Sequence, residues 1–84
     1  MYQVVYKRAA AKALLKMPKP LAQRIDAAFK ALASRRSERL DISKLRGREG
    51  YRLRIGGWRA LYRIDEKQLI IEVLRIETRG DIYK

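Results

Sequence analysis

Seven basic residues and one acid, Glu49, fall between Lys44 and Arg63. That is a net +6 in twenty residues, half of the +12 that 21 Lys+Arg against 9 Asp+Glu give the whole chain. Their spacing suggests what they do. Tyr51–Ile55 alternates, so a strand there puts Tyr51, Leu53 and Ile55 on one face and Arg52 and Arg54 on the other. In Trp58–Ile64 the same period sets Arg59, Leu61 and Arg63 opposite Trp58, Ala60, Tyr62 and Ile64. The intervening Gly56-Gly57 is a hairpin signal. A turn at that point gathers Arg52, Arg54, Arg59 and Arg63 on one side of a two-stranded ribbon. Like charges opposed across strands weaken a sheet by about 0.2–1 kcal/mol per pair. A bound phosphate offsets that repulsion, and the planar guanidinium fork suits phosphate better than a lysine does.

The tail adds two candidates. Arg79-Gly80-Asp81-Ile82 precedes Tyr83, one residue from the end of the sequence. Ile82 is suited to tether the tail to a sheet and leave Tyr83 directed at the arginine face. The other aromatic residues fit a core: Trp58 and Tyr62 share one strand face, Tyr2 and Tyr6 lie near the start, and Phe29 belongs to a helical stripe. The chain contains no cysteine and no histidine. Disulfides, Cys/His zinc sites, Ser-His-Asp triads and two-histidine nuclease chemistry are therefore excluded.

The elements that must hold these residues follow from periodicity. Tyr2–Tyr6 predicts a short strand. From Arg8 to Met17 the apolar positions Ala9, Ala10, Ala13, Leu14 and Met17 take helical spacing. Pro18 and Pro20 interrupt it, and Pro20 suits the first turn of a second helix running to about Arg35. That helix has a stripe of Leu21, Ile25, Ala28, Phe29 and Leu32, so the two helices are expected to form a hairpin with stripes inward. Ala33–Lys44 reads as a polar connector anchored by Leu40 and Ile42. Three strands follow: Tyr51–Ile55, Trp58–Ile64 and, after an Asp65–Gln68 turn, Leu69–Ile76, whose apolarity suggests the middle of the sheet. The expected fold is α+β in the order βααβββ, a helical hairpin packed on a small, mostly antiparallel twisted sheet.

Eighty-four residues make one domain, 1–84, and 48% apolar residues are enough to give it a core. No run of eighteen apolar residues exists to span a membrane. Met1–Tyr6 lacks the basic-then-apolar layout of an export signal, which predicts a cytoplasmic protein. Thirteen arginines to eight lysines tilt the polyanionic partner towards nucleic acid over a membrane surface or an acidic protein.

Four stretches together resemble the RelE branch of the RelE/ParE toxin superfamily. They are Lys44-Leu45-Arg46-Gly47, Tyr51-Arg52-Leu53-Arg54, Trp58-Arg59-Ala60-Leu61-Tyr62 and Arg79-Gly80-Asp81-Ile82-Tyr83-Lys84. The resemblance covers nearly the whole chain and implies the toxin of a type II toxin–antitoxin pair. Such a toxin is a ribosome-dependent endoribonuclease that cuts mRNA in the ribosomal A site and so inhibits translation. It implies Arg54, Arg59, Arg79 and Tyr83 as catalytic residues, with Arg52, Lys44, Arg46 and Arg63 binding RNA, and neither metal nor other cofactor. Some relatives carry lysines where this chain has Arg52 and Arg54, and a guanidinium does not release its proton. The expected chemistry is therefore electrostatic, with Arg54, Arg59 and Arg79 gripping the scissile phosphate. Tyr83 would orient the 2′-hydroxyl or act as its base, while Glu77 and Asp81 are bases by sequence position only. The implied partners are the ribosome, mRNA and an antitoxin that wraps the basic face, with operator DNA reached only through the antitoxin. A gyrase-poisoning ParE-like toxin and a non-catalytic basic RNA-binding module are the alternatives.

Overall fold

The structure is a computed structural model that describes residues 1–78; Arg79 and Tyr83 lie outside the described residues. In chain order the elements are β1 (Gln3–Tyr6), α1 (Arg8–Lys16), α2 (Lys19–Ala33), β2 (Asp41–Lys44), β3 (Tyr51–Ile55), β4 (Trp58–Asp65) and β5 (Ile70–Thr78). The strands form one sheet in the order β1-β5-β4-β3-β2. Pairing is antiparallel except between β1 and β5, which run parallel.

The helices break where the prolines require it. Met17 precedes Pro18 and is extended at φ −94 and ψ 162, the conformation a following proline imposes. Pro20 occupies the first turn of α2, where its missing N–H leaves no bond unmade. Ala10 and Met17 from the first helical segment join Ile25, Ala28 and Phe29 of α2 in one buried cluster with Leu53, Ala60, Tyr62, Ile71, Val73 and Ile76. All the sheet residues in that set point to one face, so both helices cover this face and, among the described residues, leave the other open. An aromatic chain threads the cluster: Tyr51 stacks on Tyr62 with centroids 5.5 Å apart, and Phe29 meets Tyr62 edge-on at 5.4 Å. Phe29 meets Tyr6 edge-on at 6.1 Å. Deleting a ring as buried as Phe29 costs about 3–5 kcal/mol.

Two expectations need correction. The stretch Asp41–Lys44 is a strand, not part of a connector, which makes the order βααββββ. Four residues with one strong apolar position carry almost no period-2 signal, and β3 supplies the partner that makes them a strand. The most apolar strand is also not the middle one. β4 holds the centre, and β5 lies between β4 and β1. The apolarity of β5 reflects pairing on both edges and a helix, α1, lying across it.

A bulge sets what the open face carries. Tyr62 pairs with Val73 and Leu61 with Arg75, so Leu74 is an extra residue in β5. Without it, Leu61 would pair with Leu74 and Arg75 would turn to the core face. The bulge instead brings Arg75 and Glu77 onto the side that bears Arg59.

Candidate nucleic-acid interface

Two cross-strand rows organise the open face. In the first, Asp41, Arg54, Arg59 and Glu77 are successive Cα partners from β2 to β5, two cations flanked by two acids. In the second, Ser43, Arg52, Leu61 and Arg75 follow one another in the same way. Gly56 makes the tight turn that aligns β3 with β4. Its φ of +56 sits at the first turn position, as a type II′ hairpin requires.

The guanidiniums differ in how they are held. Arg59 Nε donates to Glu77 Oε1 at 3.2 Å, and the other oxygen of Glu77 lies 3.7 Å from Arg75 Nη2. The Arg59 side chain is only 28% exposed. Arg54 is exposed and has no carboxylate in ion-pair range among the described residues. Arg52 is half-buried: Nη2 reaches Ser43 Oγ at 3.4 Å, while the buried Nε has no partner among the described residues. Its cross-strand neighbour Leu61 is buried yet stands apart from the core cluster, an apolar patch within the arginine face. Long arginine stems cover such a patch and keep their charged ends in water.

The loop from Leu45 to Gly50 presents Arg46 at one end of β3. It closes through the Leu45 N–H donating to the Gly50 carbonyl at 3.0 Å. Gly50 is buried at φ +123, and a Cβ there would lie 2.9 Å from the Tyr62 carbonyl oxygen. Lys44, Arg46 and Arg52 line one cleft with Ser43. Arg52, Arg54 and Arg59 are thus brought together, with Lys44 and Arg46 beside Arg52.

Arg63 is not part of this group. Its Nε donates to Glu72, which also pairs with Lys7 at 3.6 Å. The hydrogen bond and charge of Glu72 hold the Arg63 guanidinium above its ordinary pKa, and the same bond holds the Glu72 carboxyl below its own. The surrounding cleft is lined by Glu49, Asp65, Glu66 and Glu72 against Arg63 and Lys67, an excess of acid that disfavours a phosphate. Tyr62 is a core residue, its hydroxyl pushed up to about 12 by burial and by Tyr51. Trp58 packs on the core face, away from the arginines. Arg75 escaped the sequence reading because it enters this face only through the Leu74 bulge, which no residue pattern announces. Ser43 was missed with its strand.

The family model described as ParE toxin of type II toxin-antitoxin system, parDE, matches residues 4–83. No curated protein sequence matches the chain. Among solved structures, a chain of the RelBE2 toxin-antitoxin complex from Mycobacterium tuberculosis is 28% identical with a TM-score of 0.77, over 93% of this chain and 98% of that one. A chain of the archaeal RelE-RelB complex from Pyrococcus horikoshii is 29% identical with a TM-score of 0.76, over 94% and 96%. The isolated RelE toxin from E. coli has the same fold at 21% identity and a TM-score of 0.74, over 99% and 92%.

Proposed function

Because the chain belongs to the ParE toxin family of type II toxin–antitoxin systems, we propose that it is the RelE-type member of a toxin–antitoxin pair, a ribosome-dependent endoribonuclease. The observation that carries this reading is the direct cross-strand pairing of Arg54 with Arg59, beside Arg52, on a sheet face that neither α1 nor α2 covers. Chains of RelE complexes at 28% and 29% identity support the same branch.

The reaction is attack of a ribose 2′-oxygen on the adjacent phosphorus with loss of the 5′-oxygen. Charge builds on the non-bridging oxygens as the new bond forms. Arg54 and Arg59, with Arg79 from the tail, are assigned to that charge. Arg59 begins ion-paired through Nε, so Glu77 competes with the incoming phosphate for its guanidinium. Arg52 holds a flanking phosphate or supports the leaving oxygen, and Lys44 and Arg46 extend the grip on the strand. Tyr83 is assigned the 2′-hydroxyl, as the group that orients it or takes its proton. Glu77, with both oxygens near guanidiniums, is better suited to positioning Arg59 than to accepting a proton. With so few proton-transfer groups, cleavage depends on the ribosome to hold the RNA in line. An antitoxin covering this face in the cytoplasm is the natural partner, since the similar chains come from toxin–antitoxin complexes.

The test is cell-free translation of a defined mRNA with the purified protein, mapping 5′ ends with and without ribosomes. In-frame cuts that vanish without ribosomes are expected. The family description carries the ParE name, so gyrase inhibition is the second reading. Intact mRNA together with blocked DNA supercoiling would replace the first reading with the second.

A further inference from the structure

Arg54 lines a second cleft, beyond the row it shares with Arg59. There it meets Arg24 of α2 and Arg39 of the α2–β2 connection, with Asp41 as the one acid in the wall. Three separate segments thus contribute an arginine each to the wall of one cleft. None of the four side chains forms an ion pair among the described residues. Arg59, Arg63 and Arg75, by contrast, each have a carboxylate within reach. Three cations sharing a cleft with one carboxylate leave an excess of positive charge there, which costs electrostatic free energy. An anion in the cleft removes that penalty.

The position of the cleft indicates which anion. Lys44, Arg46 and Arg52 form a basic cleft towards the other end of β3. Arg52 and Arg54 lie two residues apart, roughly 6.8 Å along the strand. A chain laid along β3 therefore meets cations at the first cleft, then at Arg54 and Arg59, then at Arg24 and Arg39. A nucleic-acid backbone offers evenly repeated charge over such a path, whereas a folded acidic protein does so only at scattered points.

We infer that the Arg24–Arg39–Arg54 cleft is a phosphate subsite for RNA, holding a phosphodiester next to the one placed over Arg54 and Arg59. This rests on the proposed action on RNA. Arg24 and Arg39 are its donors, and the guanidinium fork suits two phosphate oxygens at once. Both side chains are exposed, so neither serves the core.

The experiment uses the full chain and a twelve-nucleotide 2′-O-methyl RNA, which cannot be cleaved. Binding is followed by fluorescence anisotropy across a salt series. For single strands the slope of log K against log salt changes by about 0.7 per neutralised phosphate. The variant R24Q/R39Q should lower the slope by about 0.7, the value for one phosphate, and weaken binding several-fold at 0.1 M salt. R8Q/K12Q removes the same net charge from α1 and should leave the slope unchanged. Equal effects of the two pairs, or none from R24Q/R39Q, would overturn the subsite. So would an effect of R24Q/R39Q on an octaglutamate peptide but not on RNA, which would give the cleft to an acidic protein. Wild-type protein that binds the oligomer but cuts no mRNA on ribosomes would sink the proposed activity and leave the subsite standing.

Discussion

Arg54 and Arg59 face each other across β3 and β4, yet only Arg59 has a carboxylate within ion-pair range among the described residues, Glu77 at 3.2 Å. Two arginines in the same row therefore start in different states. One is open to a ligand; the other is held by an internal competitor.

Removing that competitor should tighten RNA binding. Glu77→Gln keeps the shape of the side chain and deletes its charge. A partly exposed ion pair is worth about 0.2–1 kcal/mol, so affinity for an uncleavable RNA should rise by roughly 1.5- to 5-fold. Filter binding at 0.1 M salt reads this directly, and unchanged or weaker binding would show that Glu77 does not compete with phosphate.

The arginines and the tail tyrosine should separate in ribosome-dependent cleavage. Arg59→Ala and Arg54→Ala should each lose about a hundredfold in rate, the scale set by losing one donor to developing negative charge. Tyr83→Phe should leave binding nearly intact and slow cleavage. Single-turnover rates on programmed ribosomes check both, and full cleavage by Arg59→Ala would remove the mechanism.

Gly50 should tolerate no side chain. At φ +123, with the Tyr62 carbonyl 2.9 Å from where a Cβ would sit, Gly50→Ala should cost about 3 kcal/mol and lower Tm by roughly 15 °C. Gly47 is at φ +73 with open space around it, so Gly47→Ala should cost only about 1 kcal/mol. Thermal melts of the two variants give the comparison.

Acid stability should depend on Tyr6. Its hydroxyl donates to Asp26 Oδ1 at 2.6 Å. Burial by itself raises the Asp26 pKa, but the bonds from Tyr6 and Lys30 and the Lys30 charge outweigh it and hold the carboxyl below its ordinary 3.8. A carboxyl depressed by folding stabilises the fold above its unfolded value and loses that contribution as pH falls through the folded one. Tyr6→Phe should therefore cost about 1 kcal/mol at neutral pH and show a flatter decline below pH 4. Urea titrations between pH 2 and 7 would show it, and parallel curves for the two proteins would refute it.

The parts of this fold legible in the sequence were those written in local period. Ala10, Ile25 and Phe29 sit in the core their helical spacing assigns them, and Arg52, Arg54 and Arg59 share the face their alternation predicts. What was hidden depends on partners distant in sequence. Ile42 reads as a lone anchor until β3 pairs with its strand, and Glu77 reaches Arg59 only because Leu74 adds one residue to β5. Arg63 has the right parity for the arginine row, but Glu72, nine residues on, takes up its charge. Parity places a side chain on a face; its neighbours decide what it is free to bind.

The parallel pairing of β1 with β5 joins Gln3 to Ile70 and Tyr6 to Val73. The first strand to be synthesised thus waits for the last described one before it has a partner. Contacts this far apart in sequence form late, because the intervening chain must be ordered before they contribute. A nascent chain stopped before residue 70 has neither the second neighbour of β4 nor the carboxylate that holds Arg59. The arginine face therefore takes its described form only once β5 has been made, so a chain cut at any earlier strand would present Arg54 and Arg59 on a narrower sheet and without the internal counter-charge of Glu77.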